Sequence, residues 1–298
     1  MFLFYMQRHN IKNTIENKVK NTISQYKLIT KNDRVFVAVS GGKDSTTVLH
    51  ILHKLYPENT EAITIDVAIG NYSKENLENI KTFCRNNKIP LHITPFRKEF
   101  GCSLCYIRSA LSANGVVLSS CALCGILKRY LLNLKSRELG ATKLATGHNL
   151  DDEAHSILMN LARFDMQRLA RLGPKAGLIM SEGFVQRIKP LYLCTEKEII
   201  EYSKKMKFPV YYGKCPCSSG VFRRNVRDIL FKAGVCDLRG VVNHFLKILP
   251  ELKKNASSKG TLKFCAICGE PAKGKTCRAC SIINAMKERS KDISETSS

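Results

Sequence analysis

The sequence predicts an α/β protein built on a doubly wound parallel sheet, with a small four-cysteine module at its C-terminal end. Three observations predict it. Strand-like and helix-like segments alternate from residue 30 onward, as in parallel sheets with crossover helices. The first strand, residues 34–39 (RVFVAV), runs directly into Ser-Gly-Gly-Lys-Asp-Ser-Thr and then a helical pattern. Two CxxC knuckles, Cys265/Cys268 and Cys277/Cys280, lie eight residues apart near the end of the chain, a spacing that lets four thiolates share one tetrahedral ion.

Ile11, Ile15, Val19 and Ile23 recur at helical spacing, so an amphipathic helix over 10–28 leads into the first strand. After the loop at 40–46, Val48, Leu49, Ile51, Leu52 and Leu55 mark a helix. A strand at 61–67, a helix over 74–86 and a strand at 90–94 follow. A helix over 124–139, a strand at 143–146 and a helix over 151–163 complete the regular part. Beyond residue 187 the pattern is less regular, with helices at 196–205 and within 225–234. The polar, lysine-rich stretch 253–260 reads as a linker, and the tail 291–298 reads as disordered. The expected organisation is a leading helix (1–29), a nucleotide-binding domain (30–186), a mainly helical region (187–252), a zinc ribbon (253–290) and the tail.

Forty-eight Lys and Arg against 25 Asp and Glu give a formal charge of +23. A field of that sign attracts polyanions, nucleic acid first. No stretch approaches the roughly 20 apolar residues that span a bilayer, so no membrane partner is expected and the protein reads as cytoplasmic. Ten of the 13 cysteines sit in close pairs. In a reducing compartment that pattern points to metal or redox chemistry rather than disulfides.

At 40–46 a strand opens into a helix through Gly41 and Gly42. Their backbone N–H groups, unobstructed by side chains, make an anion site at a positive helix terminus. Lys43 adds a cation, and the hydroxyls of Ser40 and Ser45 can donate to phosphate oxygens. Asp44 makes sense beside a phosphate if Mg2+ lies between them or if the carboxylate orients the loop. Residues 144–158 (LATGHNLDDEAHSIL) read as a strand, a tight turn at Gly147 and a helix with carboxylates in its first turn. There Asp151 and Glu153 suit the helix dipole. Taken alone, His148 fits a packed core position equally well, and His155 reads as a surface residue. Cys121 and Cys124 form a CxxC followed by Lys128 and Arg129, and Cys215 and Cys217 follow about ninety residues later. A CxxC holds a metal well only with such further ligands.

The loop SGGKDS lacks Walker spacing and resembles that of the PP-loop ATP pyrophosphatases, which adenylate a substrate and release pyrophosphate. The order SGGKDS, CxxCGxxxR, GHNxDDEA, CP and a terminal CxxC pair resembles the tRNA 2-thiolation group of that superfamily (TtuA/TtcA-like tRNA thiouridine synthetases) over roughly residues 10–285. The resemblance implies an adenine nucleotide alpha hydrolase-like fold that binds ATP with Mg2+ through Ser40, Gly41, Gly42, Lys43, Asp44, Ser45, Asp66, Gly147 and His148. It implies a [4Fe–4S] cluster on Cys121, Cys124 and Cys215, whose remaining iron takes incoming sulfide. Lys128 and Asp152 fall on the catalytic positions, and Cys265, Cys268, Cys277 and Cys280 on a Zn2+ site. The implied reaction is adenylation of a tRNA base, uridine first, and exchange of its 2-oxygen for sulfur. The implied partners are tRNA, a sulfur donor in the form of a thiocarboxylated ubiquitin-like protein or free sulfide, and a second copy in a homodimer. Cys217 is a further candidate ligand, ranked below Cys215 because Cys215 precedes proline as in the family. Two features depart from the pattern: an extra Cys102/Cys105 pair, read as local or redox cysteines, and a leading helix where relatives commonly carry another zinc module. A lysidine synthetase-like tRNA modification is the alternative, but it needs no cluster and leaves CxxC and CP unexplained. A non-catalytic zinc protein that binds RNA leaves SGGKDST unexplained.

Overall fold

A computed structural model describes residues 14–178, 183–213, 215–218, 237–257, 263–272 and 274–295. Five strands, β1 (Val35–Ala38), β2 (Thr60–Asp66), β3 (Leu91–Pro95), β4 (Lys143–Ala145) and β5 (Gln186–Ile188), form one sheet in the order β3-β2-β1-β4-β5, with every pair parallel. The chain steps outward from β1 to β3 and then returns to the other side of β1. The strand order therefore reverses between β1 and β4, and a doubly wound sheet opens a crevice there at the carboxyl ends of the strands. The loops at 40–46 and 147–149 follow those two strands.

A sheet covered on both faces needs strands that are apolar throughout, and β1 is one: Val35, Phe36 and Val37 are all fully buried. Val35 and Val37 pack with α1 (Ile15–Gln25) and α2 (Lys43–Leu55), whereas Phe36 meets Ile63, Leu144 and Val185 on the opposite face. Helix α1 buries Ile15, Val19 and Ile23, three of the four residues that predict it. The next helices are α3 (Gly70–Asn86), the short α4 (Phe96–Phe100), α5 (Leu104–Ala113) and α6 (Ser120–Glu138). Then come α7 (Leu150–Ala162), the single-turn α8 (Met166–Leu169), α9 (Glu196–Lys205), α10 (Leu238–Ser257) and α11 (Arg278–Glu295).

Four local expectations change. Helix α6 starts four residues early because Ser119 caps it through Ala122 N, so the whole CxxC lies in its first turn and a half. Strand β5, three residues long with two polar side chains, has no sequence signature and straddles the 186/187 boundary. The stretch 253–257, read as linker, is helical: Val242, Phe245 and Leu249 of α10 bury against Leu150, Ala154 and Ile157 of α7, and that packing carries the polar end along. Residues 291–295, read as tail, continue α11, whose Ile282 and Met286 pack in one cluster with Leu104 and Ile107 of α5. The helix expected within 225–234 lies outside the described residues. Among the described residues no helix is long and apolar enough to cross a membrane.

Two carboxylates tie the amino ends of the strands together. Asp33 accepts from Thr30 N and from Thr142 Oγ1, both at 2.7 Å, and Glu61 accepts from Arg34 Nε at 2.7 Å and meets His92 Nε2 at 2.6 Å. Burial disfavours ionisation of both, but these donors outweigh it and hold both carboxyls below their ordinary values. Each therefore binds a proton more weakly in the folded than in the unfolded chain. Their stabilisation is complete above about pH 4 and is lost as pH falls through the folded values. Asp33→Asn should flatten the acid limb of the stability curve below about pH 4. Denaturant midpoints measured across that range check this, and an unchanged slope would contradict it.

Candidate active site

The first loop is shaped by its own small residues. Gly41 has φ +81°, and a Cβ there would sit 2.5 Å from Asn76 Oδ1, so only glycine fits. Ser45 Oγ accepts from Ser40 N at 3.1 Å and donates to Gly42 O at 3.1 Å, closing the loop on the first turn of α2. Lys43 Nζ donates to Asp44 at 2.9 Å and to Glu196, at the start of α9, at 3.2 Å. Burial favours the neutral amine, but these carboxylates prevail and raise the Lys43 pKa above its ordinary value. Lys43 is thus a cation held ready, and its partner Glu196 had no signal in the sequence.

The second loop meets the first in direct contact. A Cβ on Gly147 would lie 2.8 Å from Ser45 N and 2.9 Å from the Asp44 carbonyl carbon, which explains the glycine as a close approach of two backbones. Asn149 caps α7 in a reciprocal capping box with Asp152 and donates from Nδ2 to Asp44 Oδ1 at 3.0 Å. Asp44 is thereby oriented from both sides, by Lys43 and Asn149. His148 is exposed rather than packed in the core, with Nδ1 2.9 Å from Thr146 Oγ1. Asp151 accepts from Glu196 N at 2.8 Å. His155 is buried rather than at the surface. Glu153 is buried in an ion pair with Lys189 at 2.7 Å, and removing one partner of such a pair costs about 3–5 kcal/mol. Asp66 ends β2 and accepts from Ala68 N at 2.9 Å.

The first turn of α6 puts Cys121 and Cys124 on one face, three residues apart. A single 3₁₀ turn, Pro216–Ser218, packs against α6, and Cys121 Sγ donates to Cys217 O at 3.3 Å. Cys124 lies within electrostatic range of Cys121, Cys215, Cys217 and Lys128. Burial pushes its thiol up, the neighbouring cysteines add to that, and the Lys128 ammonium acts in the opposite sense. The structure thus gathers Cys121, Cys124, Cys215, Cys217 and Lys128. Arg187 Nη2 of β5 donates to Arg129 O at 3.0 Å, anchoring the next turn of α6. The stretch that carries Cys215 also reaches the phosphate loop, because Tyr211 N donates to Gly41 O at 3.3 Å. Tyr72 sits between the two centres, edge-on to Tyr211 with ring centroids 5.6 Å apart and within electrostatic range of Cys215 and Cys124. Tyr72, Tyr211 and Asn76 carried no motif.

Cys102 packs away from these thiols, donating to Phe100 O at 3.4 Å and touching Met286 Sδ at 3.6 Å. Cys105 is exposed and lies within electrostatic range of Cys217.

Cys265, Cys268, Cys277 and Cys280 bring their four sulfurs within 4.8 Å of one another, the group among the described residues fit to hold a single ion. The knuckle turns through Gly269 at φ +70°, with Gly269 N donating to Cys265 O at 2.9 Å. Burial opposes ionisation of Cys265, but backbone N–H groups of Cys277, Cys268 and Ile267 bring its thiol down to about 6, while burial pushes Cys277 and Cys280 up. Four sulfurs gathered this closely suit a soft divalent cation, which takes them up as thiolates. The module docks on α6. Asn133 Nδ2 donates to Glu270 Oε2 at 2.5 Å, Arg137 pairs with Glu270 at 2.6 Å, and its cysteines join Leu123, Leu127 and Leu131 in one cluster.

Fold and site define a nucleotide-binding protein of the PP-loop class: the PP-loop domain family matches residues 11–233, and the chain belongs to it. Within that class the chain belongs to the tRNA 2-sulfurtransferase family. It is 31% identical to the tRNA-5-methyluridine(54) 2-sulfurtransferase of Pyrococcus horikoshii, covering 98% of this chain and 92% of that protein. It is 28% identical to the cytoplasmic tRNA 2-thiolation protein 1 of Caenorhabditis elegans, covering 93% and 74%. The U34-tRNA thiolase NcsA from Methanococcus maripaludis, solved with its [4Fe–4S] cluster, superposes with a TM-score of 0.74 at 29% identity, covering 90% of this chain and 85% of that one.

Gly147→Ala should lower stability by about 1–3 kcal/mol and weaken nucleotide binding, because its methyl would push against the backbone of the phosphate loop; thermal melts and nucleotide titration read the two effects. Cys265→Ser should fail to retain a divalent ion loaded into the four-cysteine site and should melt below the loaded wild type, and acidification should release the loaded ion as protons compete for the thiolates. Metal analysis of the variant and of acid-treated protein checks both statements.

Proposed function

We propose that this protein is an ATP-dependent tRNA sulfurtransferase that adenylates a tRNA base, uridine first, and replaces its 2-oxygen by sulfur. One observation carries the reading. A single short stretch touches both centres, with Tyr211 bonded to Gly41 of the phosphate loop and Cys217 bonded to Cys121 of the CxxC helix. Activation by ATP and delivery of sulfur must act on one base in turn, and that proximity serves both.

The N–H groups at Gly41 and Gly42 and the hydroxyls of Ser40 and Ser45 bind the phosphates at the positive end of α2. Lys43 turns from Asp44 to the phosphates, leaving the Asp44 carboxylate, still oriented by Asn149, to hold Mg2+. Asp66, Gly147 and His148 line the nucleotide side of the crevice. The base O2 attacks the α-phosphorus, the bond to the β-phosphate oxygen breaks, and pyrophosphate leaves. Sulfide then adds at C2 and AMP departs with the former base oxygen. Lys128 stabilises the negative charge that develops at the base, and Asp152, fixed by its capping bond, moves the proton. Cys121, Cys124 and Cys215 fit a [4Fe–4S] cluster, because they are thiols from two packed elements set wider apart than the single-ion group. When bound, the cluster supplies an iron that takes sulfide. Cys265, Cys268, Cys277 and Cys280 fit Zn2+.

The tRNA partner agrees with the +23 charge, concentrated in part between residues 253 and 291, where ten Lys or Arg face two acidic residues. A thiocarboxylated carrier protein or sulfide serves as donor, and the names of the animal relatives favour a cytoplasmic setting. Lys43→Ala and Asp44→Ala should each abolish tRNA-dependent AMP formation while changing tRNA affinity less than about threefold, since nucleotide and backbone contacts are separate. AMP release and filter binding measure the two. Persistent AMP formation in both variants would remove the phosphate-loop assignment.

A further inference from the structure

The 3₁₀ turn that brings Cys215 to the CxxC helix brings a second thiol with it, and nothing in the reaction proposed above uses that thiol. Cys217 is half-buried, its backbone oxygen accepts from Cys121 Sγ at 3.3 Å, and its thiol is hydrogen-bonded to that of Cys215. It lies within electrostatic range of Cys121, Cys124 and Cys215. Four thiols therefore converge from two elements, two from the first turn of α6 and two from the turn at 215–217. They are not drawn together as tightly as the four sulfurs of the C-terminal module. That spread suits an iron–sulfur cube, each iron of which seeks one thiolate, better than a single ion, with Cys215 and Cys217 parting from their mutual hydrogen bond to reach separate irons. A three-ligand set leaves one corner open to water, oxygen or stray ligands. Here a protein thiol already stands beside that corner, on a backbone tied to a ligand residue.

Resting on the cluster reading above, we propose that Cys217 is a fourth cysteine ligand in this chain. In the resting protein it closes the iron that Cys121, Cys124 and Cys215 leave free. Opening the site for sulfide is then a ligand exchange: the iron–Sγ bond to Cys217 breaks, a bond to the incoming sulfide sulfur forms, its proton passes to the departing thiolate, and no electron is transferred. Cys105 is the rival thiol for this position, since it lies on α5 within electrostatic range of Cys217.

The test uses the full chain, reconstituted anaerobically with iron and sulfide, desalted, and treated with ferricyanide. A cluster with one iron unprotected by cysteine sheds that iron on mild oxidation and gives the electron paramagnetic resonance signal of a three-iron cluster. A cluster with four cysteine ligands resists this. Wild type and Cys105→Ser should keep about four irons per chain at this centre, whereas Cys217→Ser and Cys217→Ala should fall to about three and show the three-iron signal. Added sulfide should perturb the spectrum of the reduced Cys217 variants at lower concentration than that of wild type. Circular dichroism and retained ion at the C-terminal module establish that the variants fold. Wild type that loses iron as readily as the Cys217 variants overturns the proposal, and so does Cys105→Ser behaving in their place. Wild type that takes up no cluster at all removes the cluster reading itself, and the proposal with it.

Discussion

The meeting of two backbones at the carboxyl ends of β1 and β4 is the constraint on which the rest of the structure depends. A parallel pair of strands leaves little room between the loops that follow them, and here the gap is closed completely, with Gly147 against Ser45 N and the Asp44 carbonyl carbon. Direct contact lets Asn149 perform two tasks. It caps α7 and orients the Asp44 carboxylate, so the anion site of one loop is built partly from the other. The buried Glu153–Lys189 pair then fixes the same helix to the segment after β5. Breaking any of these contacts would act on the nucleotide site without touching a phosphate ligand.

The second organising feature is α6. Its first turn carries the CxxC and Lys128 follows one turn later. Its middle, through Leu127, Leu131 and Asn133, receives the four-cysteine module. A helix so short of one-sided amphipathic character is not placed by a single apolar stripe, and its position comes from packing on several sides against β2, α5 and the docked module. The C-terminal module therefore supports more than its own knuckles: it packs against one side of the helix that carries Cys121 and Cys124.

Several side chains at the site are legible in the sequence because their chemistry demands particular residue types at fixed spacing. Glycines that let N–H groups approach a phosphate, a lysine and carboxylate beside them, and thiols three residues apart all leave such patterns. Glu196, Tyr72, Tyr211, Asn76 and Asn149's bond to Asp44 leave none. Each enters by folding from a distant segment, and a single polar or aromatic residue in a helix or turn looks the same whether it faces a ligand or solvent. Strand β5 is illegible for a related reason, since three residues with two polar side chains carry too little periodicity to declare a strand.

The alternation of strands and helices, the loop that binds anions, the two cysteine sets and the sign of the surface field all follow from the amino-acid sequence alone, because they are local patterns or sums over residues. Which strands lie together, and hence where the crevice opens, depends on the return of β4 to the far side of β1. Long-range packing likewise sets the helical state of 253–257, the docking of the cysteine module on α6 and the approach of the turn at 215–217 to the CxxC. Those features arise from contacts between segments tens to hundreds of residues apart, whose free energy no local window of sequence contains.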